Sequence, residues 1–301
     1  MRRKRSGSVG SFSLNELLAL HYVYPLPLNK FNKLLKEIPS LRDLHVLSPA
    51  KLETILQISA ENAEKIITNY KRLLKNNLCA AYNQEGIHVI PFTDSNYPRS
   101  LFSLVDPPTV LYAKGDVSLL KKRKIAIIGS RMATGYTWKA LEAIVPPLIE
   151  NDFLIVSGLA KGADAMAHHA AIRYGGKTIG ILGNGFFHIY PKENELLARE
   201  MEKNHLLITE FPPYAGPRKW HFPLRNRIIS GISEAIVVTE AARKSGTLIT
   251  TDHALEHGKE IFVVPGPIDS KLSEGTNQLL KEGAIPVWSG HQILDELNLF
   301  F

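Results

Sequence analysis

The second half of the sequence alternates short apolar runs with segments of helical periodicity. From Lys121 onward the runs end in Gly, Ser, Glu or Pro, as strands buried on both faces of a parallel sheet do. The runs are Ile125–Gly129, Phe153–Ser157, Thr178–Gly183, Leu206–Glu210, Ala235–Glu240 and Ile261–Pro265, and the helical segments between them include Ala163–Tyr174, Glu193–Lys203 and Leu248–His257. This alternation predicts an α/β fold with a Rossmann-like open parallel sheet, whose ligands bind beyond the carboxyl ends of the strands.

The N-terminal part of the chain has a different pattern, which predicts a separate helical domain. Ser13 and Glu16 form a capping-box sequence, and Ser48-Pro49 combines a hydroxyl cap with a first-turn proline. The predicted organisation is a flexible basic N-terminus at 1–11, a helical domain at 12–77, a proline-rich connecting segment at 78–120 and the α/β domain at 121–301. Pro146 and Pro147 fall inside the first crossover helix of that last domain, so we expect the helix to kink or restart there.

Composition excludes several classes of protein. With 301 residues, 45% of them hydrophobic and 22% charged, the chain has the length for about two domains and is not disordered. No apolar run approaches the ~20 residues of a membrane span, and the single cysteine, Cys79, cannot form an intramolecular disulfide. These features predict a cytoplasmic protein without membrane insertion. The net charge of +7 favours phosphate-bearing partners, although many unrelated proteins are as basic.

Polar, glycine-bearing turns follow four of the predicted strands, and a parallel sheet brings such turns to one edge. They are Gly129–Arg131, Ser157–Asp164, Gly183–Gly185 with Tyr190 nearby, and Lys244–Thr247. Backbone amides at the start of a helix, hydroxyls and a planar cation suit a phosphate or a base. The alternatives are an arginine paired with a carboxylate, glycines that serve packing, and Ser or Thr that only cap a helix.

Between the fourth and fifth strands, the segment Lys219–Arg227 interleaves three cations with two aromatic residues and an amide. Aromatic rings stack on unpaired bases while Lys and Arg follow the phosphates, so this mixture favours single-stranded nucleic acid. In the alternative interpretation, Trp220 and Phe222 belong to the core and the arginines form salt bridges.

Several nucleotide and metal motifs are missing from the sequence. No Gly-x-Gly-x-x-Gly follows the first strand, and the phosphate-binding sequence Gly-x-x-x-x-Gly-Lys-Ser/Thr does not occur. His253 and His257 share a helical segment but lack the intervening Glu and the third ligand of a zinc protease. We therefore expect no cofactor and no metal.

Taken together, the motifs resemble the DNA-processing protein A family of bacteria (DprA, also called Smf). The resemblance extends over residues 90–285 and rests on Gly129–Arg131, Ser157–Asp164, Tyr190-Pro191, Phe222–Gly231, Glu240 with Ser245–Thr250, and Val264–Gly266. It implies a non-catalytic protein that binds single-stranded DNA during natural transformation (competence), protects it and loads the RecA recombinase for recombination. It also implies a homodimer, an N-terminal domain similar to a sterile alpha motif (SAM-like), and single-strand-binding protein as a further partner.

By motif match, the resemblance implies a DNA-binding site of glycines, hydroxyls, cations, one amide and one aromatic ring. Its members are Gly129, Ser130, Arg131, Ser157, Gly158, Lys161, Gly162, Lys219, Phe222, Arg225, Asn226, Arg227, Lys244, Ser245, Gly246 and Thr247. The resemblance also implies a dimer surface in the later part of the α/β domain, for which Leu279 and Leu280 are the predicted residues.

Two other functions stay open. One is an enzyme of the related α/β superfamily that cleaves the base from a nucleoside monophosphate. Such enzymes carry a Pro-Gly-Gly-x-Gly-Thr loop followed by a catalytic Glu, whereas here the loop is Arg243–Thr247 and Glu240 precedes it. The other is an adaptor whose DNA affinity is incidental.

Overall fold

A computed structural model describes residues 11–38 and 40–298 of the chain. These residues form two compact units. The smaller comprises the residues up to Asp94 together with Val105–Leu111, and the larger comprises Ser95–Leu104 and the residues from Tyr112 onward. Within the described ranges, none of the helices has the length and apolar character needed to cross a membrane, and no three His, Cys, Asp or Glu side chains are grouped as metal ligands.

The smaller unit is helical. Its elements are α1 (Leu14–Val23), α2 (Leu28–Glu37), a 3-10 helix (Leu41–Val46), α3 (Pro49–Leu56), α4 (Ala60–Leu73), α5 (Leu78–Gln84) and strand β1 (His88–Pro91). The capping box at the start of α1 is present, because Glu16 N–H donates to Ser13 Oγ (3.2 Å) and Ser13 N–H donates to Glu16 Oε2 (2.9 Å). Tyr70 of α4 is buried, and its hydroxyl donates to Leu41 O (2.9 Å).

The strands follow the order β1-β2-β6-β5-β4-β3-β7-β8-β9. Their ranges are β2 (Val110–Gly115), β3 (Lys124–Ile128), β4 (Leu154–Ser157), β5 (Thr178–Ile181), β6 (Leu206–Thr209), β7 (Ala235–Val238), β8 (Glu260–Val263) and β9 (Ile285–Pro286). The strands from β3 to β9 pair in parallel, and β2 runs antiparallel to β6.

Helices connect the parallel strands and complete the α/β fold of the larger unit. They are α6 (Gly135–Glu150), α7 (Ala163–Arg173), α8 (Glu195–Asn204), α9 (His221–Ile232), α10 (Gly246–Glu256), α11 (Glu274–Lys281) and α12 (Gly290–Asn298). One core cluster joins β3, β4 and β7 to α6, α7 and α12, and its members include Ile127, Ile155, Val237, Leu141, Ala167 and Ile293. The predicted fold class, a Rossmann-like open parallel sheet with an N-terminal helical region, is confirmed.

The prolines of α6 do not divide it. We expected a kink or a restart at Pro146-Pro147. One helix continues through both residues to Glu150, so the expected restart is wrong, and the kink stays a prediction. The carbonyls that lose a helical donor to these prolines belong to Glu142 and Ala143, one turn earlier. Both residues are exposed, so water can satisfy their carbonyls and the helix tolerates the pair.

His168 of α7 is fully buried against β5. Its Nδ1 lies 2.7 Å from Thr178 Oγ1, and the Thr178 hydroxyl donates to Ile155 O (2.7 Å). Because the Thr178 hydroxyl hydrogen is already used in that bond, His168 Nδ1 must carry the ring proton and donate it to Thr178 Oγ1. His168 Nε2 is then unprotonated, and its lone pair has no hydrogen-bond partner among the described residues. Burial lowers the pKa of His168 to about 3, because a proton on Nε2 would be a buried charge with no acceptor.

Candidate functional site

Turns at the carboxyl edge of the sheet and helix α9 enclose a cavity of about 410 Å³. β3 lies between β4 and β7, so the order of the strands reverses at this point of the sheet. Ligands of open α/β sheets bind in the crevice at such a reversal. We call this space the loop cavity; of the predicted site residues, it is lined by Gly129, Ser130, Arg131, Phe222, Arg225, Asn226, Ser245, Gly246 and Thr247.

A buried carboxylate fixes the turn after β3. Glu240 accepts hydrogen bonds from Thr134 N–H (2.7 Å), the Thr134 hydroxyl (2.9 Å) and the Thr137 hydroxyl (2.7 Å). Its backbone carbonyl also accepts from Ser130 N–H (2.7 Å). Within the turn, Met132 N–H donates to Ser130 Oγ (3.0 Å). With these donors around it, the Glu240 carboxylate serves to hold the turn in one conformation.

Arg131 and Phe222 place a cation beside an aromatic ring in this cavity. The guanidinium carbon of Arg131 lies 5.7 Å from the centroid of the Phe222 ring. Arg131 is exposed and forms no ion pair within residues 11–38 and 40–298. The Phe222 ring packs over Gly183, where a Cβ atom would lie 2.9 Å from the ring. A free cation and a fixed ring together suit a phosphate and a base.

Arg225 lines the same cavity but is bound to the protein. Its Nη1 donates to Gly158 O and Ile181 O, so the side chain joins the ends of β4 and β5. A Cβ atom on Gly158 would collide with the guanidinium, which explains the glycine there. Burial lowers the pKa of Arg225 to about 10. Burial also raises the pKa of Asp164, and the positive charge of Arg225 opposes this rise. Both residues are buried and line the cavity, and their opposite charges interact without a direct ion pair within the described residues.

The N-terminus of α10 forms another wall of the cavity. Ser245 is the residue before the helix, and its Oγ is buried without a hydrogen-bond partner among the described residues. A Cβ atom on Gly246 would meet no atom within 4 Å, so the backbone is open on that side. Thr247 Oγ1 donates to Gly129 O (3.1 Å) and ties the helix to the turn after β3. Amides at a helix N-terminus favour an anion.

Three predicted lysines lie outside the cavity lining. Lys161 is exposed and forms an ion pair with Glu193, and its hydrogen bond lowers the pKa of Glu193. Lys219 precedes α9, Lys244 precedes Ser245, and both are exposed. An exposed ion pair is weak and screened by salt, so Lys161 can exchange its partner for a phosphate.

Other predicted residues have structural contacts away from the cavity. Arg227 pairs with Glu210, and the two side chains are only 10% and 12% exposed. Ser157 is buried and donates to Ile127 O (2.6 Å). Gly162 has φ +70°, and a Cβ atom there would collide with Ser130 O, so this glycine lets two turns pack together. Whether these residues contact DNA stays a prediction.

Sequence reasoning missed part of the lining. The missed residues are Ile128, Met132, Ala160, Asp164, Pro223, Ile229, Ile249 and Thr250. Most of them are apolar, and their chemistry does not mark them as site residues. The period of α9 could have selected Ile229, because positions 222, 225, 226 and 229 share one helical face.

The residues predicted for the dimer surface lie on α11. Leu279 is buried within the larger unit, whereas Leu280 is half-buried. Leu279 lines a separate cavity of about 370 Å³ together with Arg243 and Asp252. A role for either leucine in dimerisation stays a prediction.

The chain matches the DNA recombination-mediator protein A family over residues 88–298. It belongs to this family. The DprA protein of Bacillus subtilis is 48% identical over 219 residues, which cover 72% of this chain and 74% of that protein. The DprA protein of Streptococcus pneumoniae is 44% identical and covers 68% and 72%, and the Smf protein of Escherichia coli is 36% identical and covers 80% and 64%. The resemblance inferred from the motifs is confirmed.

Solved structures of this family share the fold. The crystal structure of Streptococcus pneumoniae DprA superimposes with a TM-score of 0.80 at 34% identity, over 95% of this chain and 99% of that one. DNA processing protein A from Helicobacter pylori, whose structure is described in terms of a single-stranded DNA binding mode, gives a TM-score of 0.64 at 30% identity. It covers 71% of this chain and 97% of its own.

Proposed function

We propose that this chain binds single-stranded DNA in the loop cavity, protects it and loads the RecA recombinase onto it during natural transformation. The observation that carries the proposal is the exposed Arg131 guanidinium over the Phe222 ring, beside the open N-terminus of α10. The cation and the helix amides suit phosphates, and the ring suits an unpaired base. The single-stranded DNA binding mode described for the Helicobacter pylori protein supports the same ligand.

Family membership supports the remaining parts of the proposal. The α/β domain at 121–301 is the DNA-binding part, RecA and single-strand-binding protein are the protein partners, and the chain acts in the cytoplasm as a homodimer through α11. We also propose that it performs no catalytic step. The buried Glu240 carboxylate, with three hydrogen bonds to the turn after β3, is not poised as the catalytic acid of a base-cleaving enzyme.

The proposal is tested by measuring affinity for an oligonucleotide as a function of salt. The wild-type chain should bind single strands more tightly than a duplex of the same sequence. The logarithm of its affinity should fall with the logarithm of salt by about 0.7 per neutralised phosphate. Arg131→Ala should weaken binding to all sequences and reduce that slope by about 0.7, and Lys161→Glu should weaken binding similarly.

Arg173→Ala is the matched control, because Arg173 ends α7 and therefore lies at the opposite edge of the sheet. It should leave the affinity and the salt slope unchanged. Equal affinity for duplex and single strands, or equal effects of Arg131→Ala and Arg173→Ala, would contradict the proposal. Release of free base from a nucleoside monophosphate would show the enzyme instead.

A further inference from the structure

A second concave surface lies next to the loop cavity, on the other side of Phe222. Its volume is about 510 Å³, and we call it the aromatic cavity. Its lining includes three rings, three cations and two carboxylates: Phe186, Phe187, Tyr190, Lys114, Lys192, Arg199, Glu195 and Glu202. The ring centroids of Phe222 and Tyr190 are 5.6 Å apart. Phe222 lines the loop cavity and Tyr190 lines the aromatic cavity, so these two rings in contact connect one cavity to the other.

The aromatic cavity exposes large rings on a loop that is held in place. Phe187 is 51% exposed and Tyr190 is 48% exposed. Phe187 N–H donates to Pro213 O (2.9 Å), and the buried Asn184 Nδ2 donates to His188 O (2.7 Å). Because the backbone that carries the rings is fixed by these bonds, a planar ligand can stack on them at a small cost in conformational entropy.

The charges of the aromatic cavity favour rings as the main ligand contact. Lys114 Nζ lies 3.9 Å from Glu202 Oε2, and Arg199 Nη2 lies 2.6 Å from Glu195 Oε1. Both cations are therefore already paired with a carboxylate. Lys192 is exposed, and no acid pairs with it in the part of the chain that the structure describes. A surface with two exposed rings and one cation without an acidic partner suits a strand whose unpaired bases stack on the rings and whose phosphates form few contacts with cations.

We propose that the aromatic cavity binds the continuation of the single strand whose first part occupies the loop cavity. Phe222 and Tyr190 then form the stacking path between the two cavities, Phe187 stacks a further base, and Lys192 contacts one phosphate. The inference rests on the proposed function, because it takes the strand in the loop cavity as given.

The test measures the affinity of oligothymidylates from about 4 to about 20 nucleotides, by fluorescence anisotropy at several salt concentrations, with the lengths compared at the same one. For the wild-type chain the affinity should rise with length until the strand fills both cavities. Phe187→Ala should lower the affinity for long strands by roughly 5- to 150-fold and leave that for the shortest binding strand unchanged. Lys192→Ala should reduce the salt slope for long strands by about 0.7, and Phe187→Ala should not.

Phe102→Ala is the control, because Phe102 is also partly exposed in the larger unit and lines neither cavity. Equal affinities of the Phe187→Ala and wild-type chains at every length would overturn the inference and assign the aromatic cavity to another class of ligand. Equal losses at all lengths would also overturn it. If no oligonucleotide binds at any length, the proposed function fails and the inference falls with it.

Discussion

The buried, oppositely charged residues Arg225 and Asp164 give a quantitative test of what supports the loop cavity. Arg225→Met removes the guanidinium and keeps a side chain of similar length. The change deletes the hydrogen bonds to Gly158 O and Ile181 O, and it removes the positive charge that opposes the rise in the pKa of the buried Asp164. Leaving a buried acceptor without its donor costs about 1–3 kcal/mol, so the two carbonyls together cost about 2–6 kcal/mol. We expect the free energy of unfolding to fall by that amount.

A double-mutant cycle separates the pair from the other contacts. Asp164→Asn removes the charge that Arg225→Met leaves unpaired, while its side-chain oxygen can still accept from Ala160 N–H. The double variant should therefore lose less stability than the sum of the two single variants. For two buried charges that interact, the difference should be about 0.5–3 kcal/mol.

Urea unfolding followed by tryptophan fluorescence measures these values directly. The chain has three tryptophans, Trp138, Trp220 and Trp288, and all of them lie in the larger unit. The fluorescence therefore reports the unit that contains the pair. A shift in the midpoint with an unchanged dependence on urea would mean that stability alone has changed. A loss below about 1 kcal/mol would refute the structural role of Arg225, and strictly additive effects would refute its coupling to Asp164.

Two further predictions concern buried polar groups. The pKa of His168 is about 3 in the folded chain and 6.5 in its unperturbed form. The neutral, buried His168 therefore contributes stability that is complete above pH 6.5 and is lost as the pH falls towards 3. His168→Asn keeps a donor for Thr178 but does not titrate. In urea unfolding, the difference between its free energies of unfolding at pH 7 and pH 5 should therefore be roughly 2 kcal/mol smaller than that of the wild-type chain. An unchanged difference would contradict this prediction. Glu240→Gln should lower the free energy of unfolding by about 1–3 kcal/mol, because an amide group would face the donors of Thr134 or Thr137; an unchanged urea midpoint would show that the turn does not need the carboxylate.

Local pattern was enough to predict the elements of the fold. The runs at Ile125 and Ala235 lie in β3 and β7, and the capping box at Ser13 starts α1, because burial and capping depend on residues close in sequence. The pattern also placed several glycine-bearing turns at one edge of the sheet, since parallel strands all end there. Those turns meet at the loop cavity.

Partners distant in the chain could not be predicted from sequence. Arg225 and Arg227 are both cations of the same motif, yet one lines the cavity wall and the other pairs with Glu210 after β6. Two positions along a helix differ by about 200° in direction, so the two side chains cannot share a face. Helical periodicity could have predicted that Arg225 and Arg227 point in different directions. The sequence did not show that Arg227 would form an ion pair with Glu210, or Lys161 with Glu193.

The Glu240 carboxylate, which fixes the turn after β3, affects the rate at which a strand binds. Because Glu240 holds Thr134 and Thr137, this wall of the loop cavity is already ordered before any strand arrives. No folding of that segment has to accompany association, so the rate of capture is set by diffusion and by attraction between the basic surface and the polyanion. Added salt should then slow capture of the strand, as expected for a preorganised receptor.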